Sequence, residues 1–165
     1  MSDRSYNVLF LCTGNSARSI LAEAILNHRG PPRVRAFSAG SHPTGRVNPG
    51  ALELLERLRI PSAGLRSKAW DEFARPDSPV LDFIITVCDN AAAETCPLWP
   101  GQPVTAHWGV SDPAQMEPPD ARARAFQQAY RILARRIDRF LNLPLHALDR
   151  EAIGRQLRDI GQLPE

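Results

Sequence analysis

The chain lacks most of the features that would place it in a specialised class. No apolar run approaches the roughly 20 residues that a membrane-crossing helix needs, and no basic stretch followed by an apolar segment opens the sequence. The expectation is a soluble, cytoplasmic protein with no membrane partner. Charge is nearly balanced, +2 overall with 23% charged residues, which fits neither a nucleic-acid-coating surface nor a disordered chain. Cysteines number only three, Cys12, Cys88 and Cys96. In a reducing compartment such an odd set serves chemistry or packing more readily than a static disulfide framework. Zinc-type spacing is missing as well, so no metal and no bound cofactor are expected, and His42 and His107 read as loop or core residues.

Residues 7–11 (NVLFL) form a short, nearly all-apolar run that stops at a glycine-containing turn, the pattern of a central parallel strand buried on both faces. From Ser16 the apolar residues move to helical spacing, Ile20, Leu21, Ala24 and Ile25, and stop before Gly30-Pro31-Pro32. Residues 33–38 alternate like a second strand, and a helix is expected over about 48–59. Residues 81–87 read as a third strand ending at Cys88, and 103–107 as a short fourth. Helices are expected over about 120–141 and 149–158. This order predicts an α/β fold, an open parallel four-stranded sheet with helices on both faces. It is read as one domain spanning 1–165, with a core over about 7–142 and a helical extension over about 143–165. Ligands of such sheets gather at the carboxyl ends of the strands, where Cys12, Cys88 and the loop after His107 all fall.

Between Cys12 and Arg18 lie five residues, Thr13, Gly14, Asn15, Ser16 and Ala17. A loop of small residues entering a helix can aim its backbone N–H groups at one point, which makes a nest for a tetrahedral oxyanion. Arg18 adds a planar fork for two oxygens of the same anion. In that positive field the Cys12 thiol is expected to lose its proton near neutrality and act as a nucleophile. Asn15 and Ser19 are expected to hold both the thiolate and the loop.

The stretch CTGNSARS, Cys12 to Ser19, resembles the phosphate loop of the low-molecular-weight protein tyrosine phosphatase superfamily, and the resemblance extends over about residues 7–140. It implies that superfamily's flavodoxin-like fold. Asp112-Pro113 matches its late Asp-Pro, and by resemblance Asp112 is the general acid that protonates the leaving oxygen. Phosphatases of the superfamily usually follow Asp-Pro with an aromatic residue and carry a second cysteine before the loop arginine; here Ala114 and Ala17 stand at those places. Cys88 and Cys96 instead resemble the resolving cysteines of the superfamily's arsenate reductases. That resemblance implies attack of Cys12 on arsenate, resolution by Cys88 and transfer of the disulfide to Cys96, with an external thiol reductant, thioredoxin or glutaredoxin with glutathione, as partner. Two alternatives stand beside it: a phosphatase acting on phosphomonoesters through a Cys12 phosphocysteine, and a non-catalytic oxyanion-binding or redox-signalling module.

The chain also departs from these relatives. Seven residues separate Cys88 from Cys96, one more than in thioredoxin-linked members, although the three alanines among them read as a short, weakly anchored helix. Members that bind potassium beside the loop use Asn, Glu, Ser and Asp. Asn15, Glu23 and Ser38 match, while Lys68 falls where the acidic ligand would be, so an ammonium is expected in place of the ion. Trp99 and Trp108 are expected to pack near the site, and the arginines over 131–139 to form a solvated face.

Overall fold

A computed structural model describes residues 5–89, 91 and 99–164. Cys96 lies outside the described residues, as does most of the segment between it and Cys88.

Strand β1, Tyr6–Leu11, is central because it has no polar face: Val8, Leu9, Phe10 and Leu11 are all fully buried. Neighbours flank it on both edges. The four strands β1, β2 (Val34–Ala39), β3 (Phe83–Thr86) and β4 (Val104–His107) are all parallel, in the order β2-β1-β3-β4. The chain leaves β1 in one direction to reach β2, then returns past β1 to β3. Right-handed crossovers therefore place the connecting segments on opposite faces, and the strand order reverses between β1 and β3. The register pairs Leu11 with Thr86, and the Val87 N–H donates to the Leu11 carbonyl at 2.9 Å. This pairing sets Cys12 beside Cys88.

Helix α1, Arg18–Arg29, packs its buried stripe of Leu21, Ala22, Ile25 and Leu26 on β1 and β2. Helix α2, Pro49–Arg57, starts where the Asn48 side chain accepts the Gly50 N–H at 2.8 Å. Helix α3, Pro119–Leu141, buries Phe126, Ile132, Leu133, Ile137 and Phe140, and Phe140 meets Phe83 edge-on with ring centroids 5.7 Å apart. Helix α4, Arg150–Gly161, is capped by Asp149 accepting the Ala152 N–H at 2.7 Å. It lies on β4, the edge strand that would otherwise be open on that side. Trp108, fully buried, joins the two by donating its indole N–H to the Leu157 carbonyl at 2.9 Å. Between α2 and β3 the chain adds a single 3₁₀ turn, Trp70–Phe73, that its sequence pattern does not announce. No described helix is long and apolar enough to cross a membrane.

The arginine-rich stretch of α3 divides. Arg131, Arg135 and Arg139 are exposed as expected, but Arg136 is 3% exposed and donates to the carbonyls of Gly109 (2.9 Å) and Leu163 (3.4 Å). It pins the loop after β4 to the C-terminal segment.

Candidate active site

The loop between β1 and α1 is built by its neighbours. The Thr13 carbonyl accepts the His42 N–H at 2.9 Å, the Gly14 carbonyl the Thr44 N–H at 3.0 Å, and the Ser16 carbonyl the Asn48 N–H at 2.8 Å. In a trans peptide the carbonyl and the following N–H point in opposite directions. With these carbonyls held by the neighbouring loop, the amides of Gly14, Asn15 and Ala17 point away from those partners. Asn15 takes the left-handed conformation (φ 45°) that lets the loop reverse, one that asparagine tolerates better than most residues. Gly40 is part of the same construction: a Cβ there would lie 2.4 Å from the Thr13 carbonyl oxygen and 2.6 Å from that of Cys12, so only glycine lets the two backbones approach this closely.

Asn15 and Ser19 hold the loop, as expected, through each other. The fully buried Asn15 amide donates to Ser19 Oγ (2.8 Å) and Ser38 Oγ (2.9 Å), and its oxygen accepts the Lys68 N–H (2.9 Å). The expected contact with the thiolate is not where these side chains go; the Cys12 sulfur instead meets Cys88 and the Thr13 amide.

Lys68, the one lysine of the chain, is 7% exposed. Its Nζ lies 3.7 Å from Glu23 Oε1 and donates to the Arg66 carbonyl at 2.9 Å, while Ser38 Oγ donates to the same Glu23 oxygen at 2.5 Å. Burial lowers the Lys68 ammonium below its ordinary pKa and raises the Glu23 carboxyl above its own, each opposed by the other's charge. These residues do not fit a further monovalent cation, because an ammonium already faces the carboxylate. Among the described residues no group of three His, Cys, Asp or Glu could hold a metal.

Arg18 opens α1 and turns its fork toward the loop after β4. Nη1 donates to the Val110 carbonyl at 2.9 Å, and Nη2 stands 3.6 Å from Asp112 Oδ2. Asp112 caps the short 3₁₀ turn Pro113–Gln115, accepting the Ala114 N–H at 3.0 Å. The structure therefore brings Cys12, Arg18 and Asp112 together from three separate segments. Ala17 is buried, and Ala114, directly after Asp112-Pro113, contributes no ring of its own.

Cys88 completes the group. Its sulfur accepts the Thr13 N–H at 3.3 Å and lies 3.7 Å from the Thr13 hydroxyl. Both cysteines are buried and free. The hydrogen bond with Cys12, aided by the Ala91 and Thr13 amides, draws the Cys88 thiol down to about 5, while the same bond and then burial push the Cys12 thiol up. The Cys12 thiol was expected to lose its proton near neutrality; beside Cys88 it is instead the Cys88 thiol that is favoured to ionise first. The two sulfurs titrate as a pair, with one proton lost easily and the second held between them.

Residues 7–155 match the family model described as low molecular weight phosphotyrosine protein phosphatase. The chain belongs to this family. Within the phosphatase family it is similar to an arsenate reductase of Shouchella clausii (strain KSM-K16), 33% identical over 134 residues that cover 81% of this chain and 93% of that one. Its fold is similar to that of a thioredoxin-dependent arsenate reductase of Corynebacterium glutamicum, with a TM-score of 0.61 at 25% identity over 84% of this chain; the match takes in 61% of that protein's length. A low molecular weight protein tyrosine phosphatase from T. tengcongensis shares the fold at a TM-score of 0.63 and 22% identity, over 81% of this chain and 99% of that one.

Sequence reasoning missed the contacts that join these parts: the Thr13 amide on Cys88, Arg18 on the Val110 carbonyl, and a chain of hydrogen bonds from Thr86 through His107 to Asp89. His107 was readable as a strand-end residue opposite Thr86 once the parallel pairing of β3 and β4 is known, but its spacing alone does not mark it.

Proposed function

We propose that this chain is an arsenate reductase in which Cys12 is the nucleophile, Arg18 and the amides of residues 13–19 hold the oxyanion, Asp112 is the acid and Cys88 resolves the adduct. The observation that carries this reading is a second buried free thiol, Cys88, whose sulfur accepts the N–H of Thr13, the residue next to Cys12, at 3.3 Å. A phosphatase needs one thiol there and water; a second buried thiol in contact with the first is what a reduction requires.

Cys12 passes its proton to Cys88 and attacks arsenic(V), forming an S–As bond, while Asp112 protonates the oxygen that leaves as water. Cys88 gives the proton it received to water and, as thiolate once more, attacks the Cys12 sulfur; the S–As bond breaks, its electron pair reduces arsenic to the trivalent state, and arsenite departs from a Cys12–Cys88 disulfide. Cys96 then takes over the bond to Cys88, and an external dithiol of the thioredoxin or glutaredoxin type restores the thiols. The thioredoxin dependence of the Corynebacterium relative supports a partner of this kind. Ala114 at the rim favours a small inorganic anion over an aryl phosphate, since no ring is there to stack on the substrate. The test is arsenate-dependent oxidation of NADPH coupled through thioredoxin or glutaredoxin systems, run beside hydrolysis of an aryl phosphate. Coupled turnover with arsenate supports the reductase; aryl phosphate hydrolysis without it returns the phosphatase.

A further inference from the structure

Cys88 stands at the carboxyl end of β3, immediately before Asp89. What fixes this end of the strand lies on β4. His107, the last residue of β4, is paired in register with Thr86. Its Nδ1 lies 2.7 Å from Thr86 Oγ1, and its Nε2 lies 2.9 Å from Asp89 Oδ1. A carboxylate only accepts, so Nε2 donates to Asp89, while Nδ1 shares a hydrogen bond with the Thr86 hydroxyl. The imidazole thus bridges the residue two before Cys88 to the residue directly after it. Gly109 leaves the space for this bridge, since a Cβ there would lie 2.9 Å from His107 Nε2 and 3.3 Å from Asp89 Oδ1. The backbone follows the same course: Trp108 N–H donates to the Thr86 carbonyl at 2.7 Å and Val110 N–H to the Val87 carbonyl at 3.0 Å. Arg136 in turn holds the Gly109 carbonyl.

The geometry points to His107 as a positioning residue for the resolving thiol: by tying Asp89 to β4 it fixes the Cys88 backbone so that its sulfur faces Cys12. This role rests on the proposed reductase reading, in which Cys88 must attack the Cys12 sulfur in line. His107 touches neither the oxyanion loop nor Cys12 in any contact the structure records. Its removal therefore acts on the meeting of the two sulfurs and leaves the loop's own chemistry in place. Asp89 is exposed, so the bridge is modest in strength, and the effect expected is a few-fold change rather than an abolition.

The experiment measures the effective concentration of Cys88 at Cys12, with and without the bridge. In a Cys96→Ser background, the Cys12–Cys88 disulfide is equilibrated with oxidised and reduced glutathione and quantified by mass spectrometry. His107→Leu and Asp89→Ala are each expected to lower the disulfide equilibrium constant about fivefold. The double variant should fall no further, because both substitutions remove the same tie. His107→Gln, which keeps a donor for Asp89, should recover most of the loss. Aryl phosphate hydrolysis, or phosphate binding to the loop where hydrolysis is too slow to follow, should stay within twofold in all four. Equilibrium constants unchanged from the parent, additive losses in the double variant, or a parallel loss of phosphate binding would each overturn the role of His107. Because this readout needs no arsenate, it is separate from the reductase reading: if the parent closes its disulfide in glutathione but releases no arsenite, the reductase reading fails while the positioning result stands on its own.

Discussion

Cys12 and Cys88 are 76 positions apart in sequence, yet the β1–β3 pairing brings their sulfurs together, and each shifts the other's ionisation. Burial alone would keep both sulfurs neutral. The amides of Thr13 and Ala91 and the Cys12 thiol all donate to Cys88, which makes it the group that ionises first. In a Cys96→Ser background, an ultraviolet titration of thiolate absorbance should show one thiolate appearing as the pH rises through about 5, with the second sulfur holding its proton well past the ordinary thiol range. Replacing Cys88 with serine should remove the early step. The sign follows for activity: above pH about 5 the pair carries the charge it needs, and arsenate turnover should fall as the pH drops through that value. In the proposed mechanism Asp112 supplies the other proton. Asp112→Asn keeps the cap on the 3₁₀ turn but has no proton to give, and adduct formation measured by rapid quench should slow by about 10²–10⁴-fold. A full-rate variant would move the acid elsewhere.

The elements around the loop explain how much could be read in advance. The apolar run of β1, the helical spacing of α1 and the alternation in β2 are local patterns, and each appears within a residue or two of its expected place. Cys12, Arg18 and Asp112 were legible because a strand end, a helix start and an Asp-Pro turn mark them. The ionisation of Cys12 was not, because it depends on a sulfur that only the β1–β3 pairing brings near. Arg136 was missed for a similar reason, since its partners are backbone carbonyls that carry no signal in side-chain composition. The second layer beneath the loop makes its own predictions. Gly40→Ala would drive a methyl into the carbonyls of Cys12 and Thr13; backbone cannot swing aside as a side chain would, and chemical denaturation should report a loss of about 3 kcal/mol. Lys68→Met leaves the Glu23 carboxylate buried without its cation, and the same assay should again show a loss of about 3 kcal/mol. An unchanged denaturation midpoint in either variant would mean that the layer does not support the loop.

On the scale of the whole molecule, the sheet brings together at one end three groups that the chain keeps far apart: Cys12 after β1, Cys88 after β3 and Asp112 after β4, the proposed nucleophile, resolving thiol and acid. The reversal of strand order between β1 and β3 makes this possible, since it opens a crevice at the carboxyl ends of two adjacent strands. Helix α4 covers the edge of β4, and Arg136 and Trp108 carry that support back to the loop that holds Asp112. The proposed chemistry requires that the two sulfurs finish the reaction on each other. The most direct measurement treats the Cys96→Ser variant once with arsenate in the absence of any reductant, then counts arsenite and maps disulfides by mass spectrometry. One arsenite and one Cys12–Cys88 disulfide per chain is the predicted result; both thiols recovered free, with no arsenite released, would contradict it.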